Sequence, residues 1–216
     1  MKLRIALHDW LLRKLWASTR TQIEAVVPGC GGVAFLGDSI THLGKWDLLF
    51  PQIASRNFGI GGERSDHLLA RIGPLLAMRP ERLFLLIGTN DLGVGIPIED
   101  TASNVDRLVE QLKARLPDCM IVLQGVMPRA RRYQQRIHQL NQRYAQIAQR
   151  REIVYLDLFP AFDDGSGALR SELTDDGLHL NGAGYRIWRD LLRPLVLDSR
   201  VAETQADTPT APQHAP

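Results

Sequence analysis

Val33-Ala34-Phe35-Leu36-Gly37-Asp38-Ser39 is a run of four apolar residues that stops at a glycine and continues into an acid and a serine. So short an apolar run, with turn residues on both sides, reads as a strand buried on both faces of a parallel sheet. Pro28-Gly29-Cys30-Gly31-Gly32 supplies the turn before it. Comparable runs follow at Leu83-Phe84-Leu85-Leu86-Ile87, Met120-Ile121-Val122-Leu123 and Ile153-Val154-Tyr155-Leu156, with a weaker one around Arg56-Asn57-Phe58. Helical periodicity occupies the stretches between and after them, at residues 65–78, 98–116, 131–150 and 183–197. Strands alternating with helices of this length predict an α/β fold, a parallel sheet covered on both faces. Ligands of such sheets bind at the carboxyl ends of the strands. The suggestive polar residues of this chain all follow expected strands or precede expected helices.

At 216 residues the chain has room for one domain with a substantial core. Its 44% hydrophobic and 23% charged composition is that of an ordinary globular protein. A formal charge of +2, with the basic residues scattered, argues against a nucleic-acid partner. Cys30 and Cys119 are too few for a disulfide framework and read as reduced, buried thiols. Residues 1–27 are expected to hold an amphipathic helix, with Leu7, Trp10, Leu11, Leu15 and Trp16 at helical spacing. That face either packs on the domain or docks on a membrane surface or partner. His8, Asp9, Arg13 and Lys14 interrupt the apolar stretch, so it does not read as a signal peptide. No segment approaches the roughly 18–20 apolar residues of a membrane span, and a cytoplasmic location is expected. Residues 28–198 form the expected folded domain. Residues 199–216, rich in Ala, Thr, Pro and Gln, are expected to be a disordered tail.

Four segments carry chemistry. Ser39, just after a strand and a glycine, can project its hydroxyl over the sheet edge, although a serine there is equally a helix N-cap. A serine hydroxyl needs a base to become a nucleophile. In Asp175-Asp176-Gly177-Leu178-His179-Leu180-Asn181, Asp176 and His179 stand three residues apart, so one local turn can join carboxylate to imidazole. The same pair also fits a surface turn capping the helix near Gly182. Acyl transfer further needs donors for an oxyanion. Gly62, in Asn57-Phe58-Gly59-Ile60-Gly61-Gly62, offers a backbone N–H; Asn90, in Gly88-Thr89-Asn90-Asp91, offers a side-chain amide. Each of these is also an ordinary loop residue taken singly.

Taken together and in order, the four blocks resemble the GDSL/SGNH hydrolase superfamily, and most closely the platelet-activating-factor acetylhydrolase-like esterases. The resemblance covers about residues 33–197. It implies a three-layer α/β/α fold around a mostly parallel five-stranded sheet, flavodoxin-like in plan. It also implies a serine esterase for small acyl esters with no metal or cofactor, and a homodimer as a possible assembly. By that resemblance Ser39 matches the nucleophile, His179 the general base and Asp176 its orienting carboxylate. The Ser39 N–H, the Gly62 N–H and the Asn90 amide match the oxyanion donors. Two positions depart from the pattern: Ile40 replaces a leucine, and Asp91 follows Asn90, unlike in the acetylhydrolase subunits. Thioesterase or lysophospholipase activity, or a silent binding protein of the same fold, are the competing functions. Arg64, Arg129, Arg131 and Arg132 could line the rim and favour an acidic or phosphate-bearing leaving group, or be solvated surface residues. Asp38 and Asp91 could brace their loops, while Leu43, Trp46 and Phe50 read as core.

Overall fold

The computed structural model describes residues 14–25 and 29–197. Leu7, Trp10 and Leu11 of the expected first helix lie outside the described residues, as does the expected tail at 199–216. Helix α1 spans Ala17–Glu24 and leads to β1 (Val33–Gly37), α2 (Ser39–Leu43), α3 (Trp46–Leu49) and β2 (Ser55–Gly59). Next come α4 (Ser65–Ala70), α5 (Gly73–Met78), β3 (Arg82–Leu86), α6 (Thr89–Val94), α7 (Ile98–Arg115) and β4 (Met120–Gln124). A 3-10 turn at Arg131–Tyr133 runs into α8 (Gln134–Arg151), followed by β5 (Val154–Leu156) and α9 (Phe159–Phe162). After a second 3-10 turn at Ser171–Leu173, α10 (Gly182–Val196) completes the described chain.

All five strands are parallel, in the order β2-β1-β3-β4-β5. Alternate residues of each strand point to opposite faces, and two apolar clusters result. Ala34, Leu36, Leu83, Leu85, Ile121 and Leu123 face Leu68, Leu75, Val105, Leu108, Leu112 and Leu140, from α4, α5, α7 and α8. Val33, Phe35, Phe84, Leu86 and Val122 face Trp46, Phe50, Trp188, Leu192 and Val196, from α3, α10 and the loop between α3 and β2. The architecture is therefore the expected three-layer α/β/α sandwich, with helices on both faces of a parallel sheet.

The long helices form for legible reasons. In α7, Glu99 and Asp100 occupy the first turn and Lys113 and Arg115 the last, matching the helix dipole. Its buried Val105, Leu108, Val109 and Leu112 lie on one face. Asn181 caps α10 by accepting from the N–H groups of Ala183 and Gly184. The helix expected over 65–78 is instead broken into α4 and α5, because Pro74 in the first turn of α5 cannot continue the hydrogen-bond ladder.

Other expectations need correction. Leu43 is 46% exposed rather than core, although Trp46 and Phe50 are buried, with Trp46 stacked on Phe35 at 3.9 Å. Leu15 is 69% exposed, whereas its neighbour Trp16 packs against the α4/α5/α7/α8 cluster. Cys30 is exposed rather than buried; both thiols are free, and burial pushes the Cys119 thiol up to about 12. Among the described residues no helix is long and apolar enough to cross a membrane.

Candidate active site

The sheet order places a topological switch beside β1. The chain leaves β1 to form β2 on one side, then returns to form β3 on the other. The loops after β1 and β3 therefore diverge and open a crevice at the carboxyl edge. Ser39 opens α2 directly after β1, and Asn90 lies in the first turn of α6 directly after β3. Gly62 follows β2, and Asp176 and His179 sit on the loop between the second 3-10 turn and α10.

Ser39 is not the cap of its own helix. Asp38 takes that role, its Oδ1 accepting from the Ile40 N–H at 3.0 Å. The Ser39 hydroxyl is thereby free to meet His179, with Oγ 2.9 Å from Nε2. On the far side of the ring, Nδ1 lies 2.6 Å from Asp176 Oδ2. The other Asp176 oxygen accepts from the N–H groups of His179 and Leu178, at 2.7 and 2.9 Å. The loop is braced as well: Thr174 Oγ1 donates to the His179 carbonyl at 2.6 Å. This bonding pattern puts the imidazole proton on Nδ1 and leaves Nε2 to accept the serine proton. Burial acts to raise the Asp176 carboxyl, but the hydrogen bonds from the His179 ring, the His179 N–H and the Leu178 N–H outweigh it. The carboxyl is held at about 2, so it is a carboxylate at any ordinary pH.

Three further residues hold Ser39 in place, and none was singled out from sequence for this work. The Asn57 amide donates to the carbonyls of Thr41, His42 and Gly44, at 3.0, 3.0 and 3.1 Å. It thus gathers the carbonyl oxygens at the end of the short helix, of which that of Thr41 also accepts from the Gly44 N–H. Tyr185 on α10 donates its hydroxyl proton to the Ile40 carbonyl at 2.6 Å, and Trp46 Nε1 donates to that of Thr41 at 3.0 Å.

The Gly62 loop and Asn90 meet at Glu63. Gly62 has φ +72°, a left-handed conformation that glycine adopts without steric cost. Asn90 Nδ2 donates to the Glu63 carbonyl at 2.9 Å, which uses one of its two protons and leaves the second for a ligand. The Glu63 side chain, also missed from sequence, is fully buried and bridges Arg71 Nε at 2.5 Å and Arg20 Nη2 at 3.1 Å. Asp91 is buried too, and its carboxylate accepts from the Ser65 N–H and, at 2.6 Å, from the Ser65 hydroxyl. It ties α6 to α4, a long-range brace where a local one was expected.

Ser39, His179, Asp176, Gly62 and Asn90 thus sit on four separate loops at one sheet edge. A family model for the GDSL-like lipase/acylhydrolase family matches residues 35–187, a span that contains all five. The chain belongs to this family. As a GDSL-type enzyme it is a hydrolase of carboxylic esters. It is 30% identical over 165 residues to platelet-activating factor acetylhydrolase IB subunit alpha1 of Bos taurus, covering 71% of this chain and 69% of that one. In three dimensions it is similar to a Streptococcus pneumonia protein described as a platelet activating factor. That similarity has a TM-score of 0.77 and 27% identity, over 91% of this chain and 99% of that one. It shares its fold with a Bacteroides fragilis protein described as an acylhydrolase, at a TM-score of 0.70 and 24% identity, over 91% and 98% of the two chains.

The arginines of this GDSL hydrolase divide in a way the sequence did not show. Arg64 does not line a rim: it is buried, and its guanidinium pairs with Asp66 at 2.9 Å. Arg129 is half-buried, donates to the Thr89 carbonyl at 3.0 Å and lies 4.2 Å over the Tyr133 ring. Its work is to join the loop after β4 to the start of α6. Arg131 and Arg132 are exposed.

Asp38 is the least comfortable group in the site. Burial first, and then the neighbouring charges of Asp91 and Glu63, push its carboxyl up to about 7, against the lowering effects of the Ile40 N–H and Arg129. The folded chain therefore keeps this proton over a pH range where the unfolded chain, near pH 4, has released it. Stability falls as pH rises from about 4 towards about 7, by on the order of a few kcal/mol. Asp38→Asn keeps an oxygen for the Ile40 N–H and removes the titration. Thermal melts across this range should show the variant gaining on the wild type as pH rises. A constant offset between the two would show that Asp38 ionises at an ordinary pH.

Proposed function

We propose that this GDSL hydrolase cleaves small acyl esters, acetyl or short-chain, through an acyl-enzyme on Ser39. The reading is carried by one observation, the continuous Ser39–His179–Asp176 hydrogen-bond chain. His179 Nε2 removes the Ser39 proton as Oγ attacks the ester carbonyl, and Asp176 stabilises the imidazolium that forms. The tetrahedral oxyanion is met by the Asn90 amide, the Gly62 N–H and the N–H of Ser39, which has no partner within α2 because it opens that helix. The imidazolium then gives its proton to the departing alcohol. Water, deprotonated by His179, attacks the acyl-enzyme and releases the acid, returning the proton to Ser39. Every step needs only these side chains and water.

The preference for a small acyl group is supported by the similarity to the bovine acetylhydrolase subunit. A panel of p-nitrophenyl esters from acetyl to dodecanoyl tests it. The expected result is the highest kcat/KM at acetyl to butyryl, falling at longer chains. A maximum at eight carbons or beyond would favour a lysophospholipase, and faster cleavage of matched thioesters a thioesterase.

A further inference from the structure

Helix α1 lies before residues 35–187, the part of the chain matched by the family model, yet it touches both halves of the site. Arg20 on α1 reaches the buried Glu63 carboxylate at 3.1 Å, sharing it with Arg71. Glu63 follows Gly62 directly, and its carbonyl receives the Asn90 amide at 2.9 Å. One residue thus connects α1 to two of the three oxyanion donors in the reading above. Arg71 completes the frame by donating to the Phe58 carbonyl at 2.7 Å, at the end of β2.

Trp16, the residue just before α1, makes a second contact with the same region. Its indole lies so close over Gly61 that a Cβ there would clash with Cζ2 and Cε2 of the ring. Its other edge meets the His42 ring, with centroids 4.8 Å apart at 68°. His42 belongs to α2, the helix opened by Ser39, and donates from Nδ1 to the Gly59 carbonyl at 3.0 Å. Ile23, on the next turns of α1, is buried in the adjoining core. The helix therefore presses on the Gly59–Gly61 backbone from outside while Arg20 holds its continuation at Glu63.

We infer that Arg20, supported by Trp16, is a positioning residue for turnover: it fixes the Gly62–Glu63 backbone so that the Asn90 amide points into the crevice. It touches no substrate and acts through Glu63. A buried carboxylate needs compensating charge and donors on both oxygens to keep one conformation. Without Arg20, Arg71 alone among the described residues restrains it, and the carbonyl that orients Asn90 loses its fixed place. Small displacements of this kind lower turnover rather than affinity, because the oxyanion exists only in the transition state.

The inference rests on Asn90 being an oxyanion donor, and a double-mutant cycle on p-nitrophenyl acetate separates the two claims. Arg20→Gln alone should lower kcat about 10-fold with KM nearly unchanged. Arg20→Lys, which keeps the charge on Glu63, should recover most of that loss. Asn90→Ala alone should lower kcat about 100–1,000-fold. In the Asn90→Ala background, Arg20→Gln should cost only about threefold or less, the remainder passing through the Gly62 N–H. Asn90→Ala at full turnover would refute the oxyanion reading and this inference with it. Impaired Asn90→Ala beside Arg20→Gln at full kcat, even with a lowered Tm, would overturn the inference alone and leave α1 a stability element. An equal Arg20→Gln loss in both backgrounds would show that Arg20 does not act through Asn90.

Discussion

Replacing Ser39 with alanine should lower ester hydrolysis by about 10,000- to 1,000,000-fold, the range seen when a nucleophile is removed from a serine–histidine–carboxylate unit. The substitution deletes a single hydroxyl. Asp38 still caps α2, and Asn57 and Tyr185 still hold its carbonyls. The Tm should therefore stay within a few degrees of wild type, so that lost activity reports chemistry and not unfolding. A fluorophosphonate probe should label the wild-type protein and not the variant. His179→Ala should cost a similar factor, and the Ser39→Ala/His179→Ala pair little more than either, because the two groups act as one unit. Hydrolysis unchanged in Ser39→Ala would remove this serine from the mechanism.

The largest stability effect is expected at Trp188. This side chain is fully buried between α10 and the sheet, 4.8 Å from Trp46 at an interplanar angle of 84°, and its Nε1 donates to Gln124 Oε1 at 2.7 Å. Trp188→Ala leaves a large cavity, at about 3–5 kcal/mol. It also orphans a buried amide oxygen, at about 1–3 kcal/mol more. A domain of this size has only about 5–15 kcal/mol in hand, so the Tm should fall by about 10 °C or more. Trp188→Phe keeps most of the ring volume and should lose much less. The effect extends to the site, because α10 also carries Tyr185, which holds the Ile40 carbonyl. Denaturant melts check the prediction. A Trp188→Ala loss under about 1 kcal/mol would mean that α10 repacks freely, and that Tyr185 does not depend on it for placement.

Four of the strands were legible because each is a compact apolar run closed by turn residues, whereas β2 has Phe58 as its one large apolar residue and gave the weaker signal. All five expected strands fall within one or two residues of the observed limits. The short helices α2, α3, α6 and α9 were not legible. At four to six residues they have too few turns to show a period, and they persist because tertiary partners hold their ends. The break at Pro74 was visible in the sequence, but the periodicity on either side ran through it.

The local order of residues by itself determined the parallel α/β plan and the four loops that carry Ser39, Gly62, Asn90, and Asp176 with His179. It also made the Asp176–His179 pair plausible, since three residues of separation suffice for one turn to close it. Only the tertiary structure decided that Ser39 lies 2.9 Å from His179, 140 positions away, because that distance depends on which strands are neighbours. The same is true of Glu63, Arg71 and Asn57. A charged or amide side chain in a loop looks solvated until its buried partners are known. Arg64, read as a rim or solvated surface residue, likewise proves to be buried, with its guanidinium on the half-exposed Asp66. Sequence patterning reports which residues leave water and in what period. Which of them then meet is set by the closing of the sheet, and with it the hold of α1 on the loop beside Gly62.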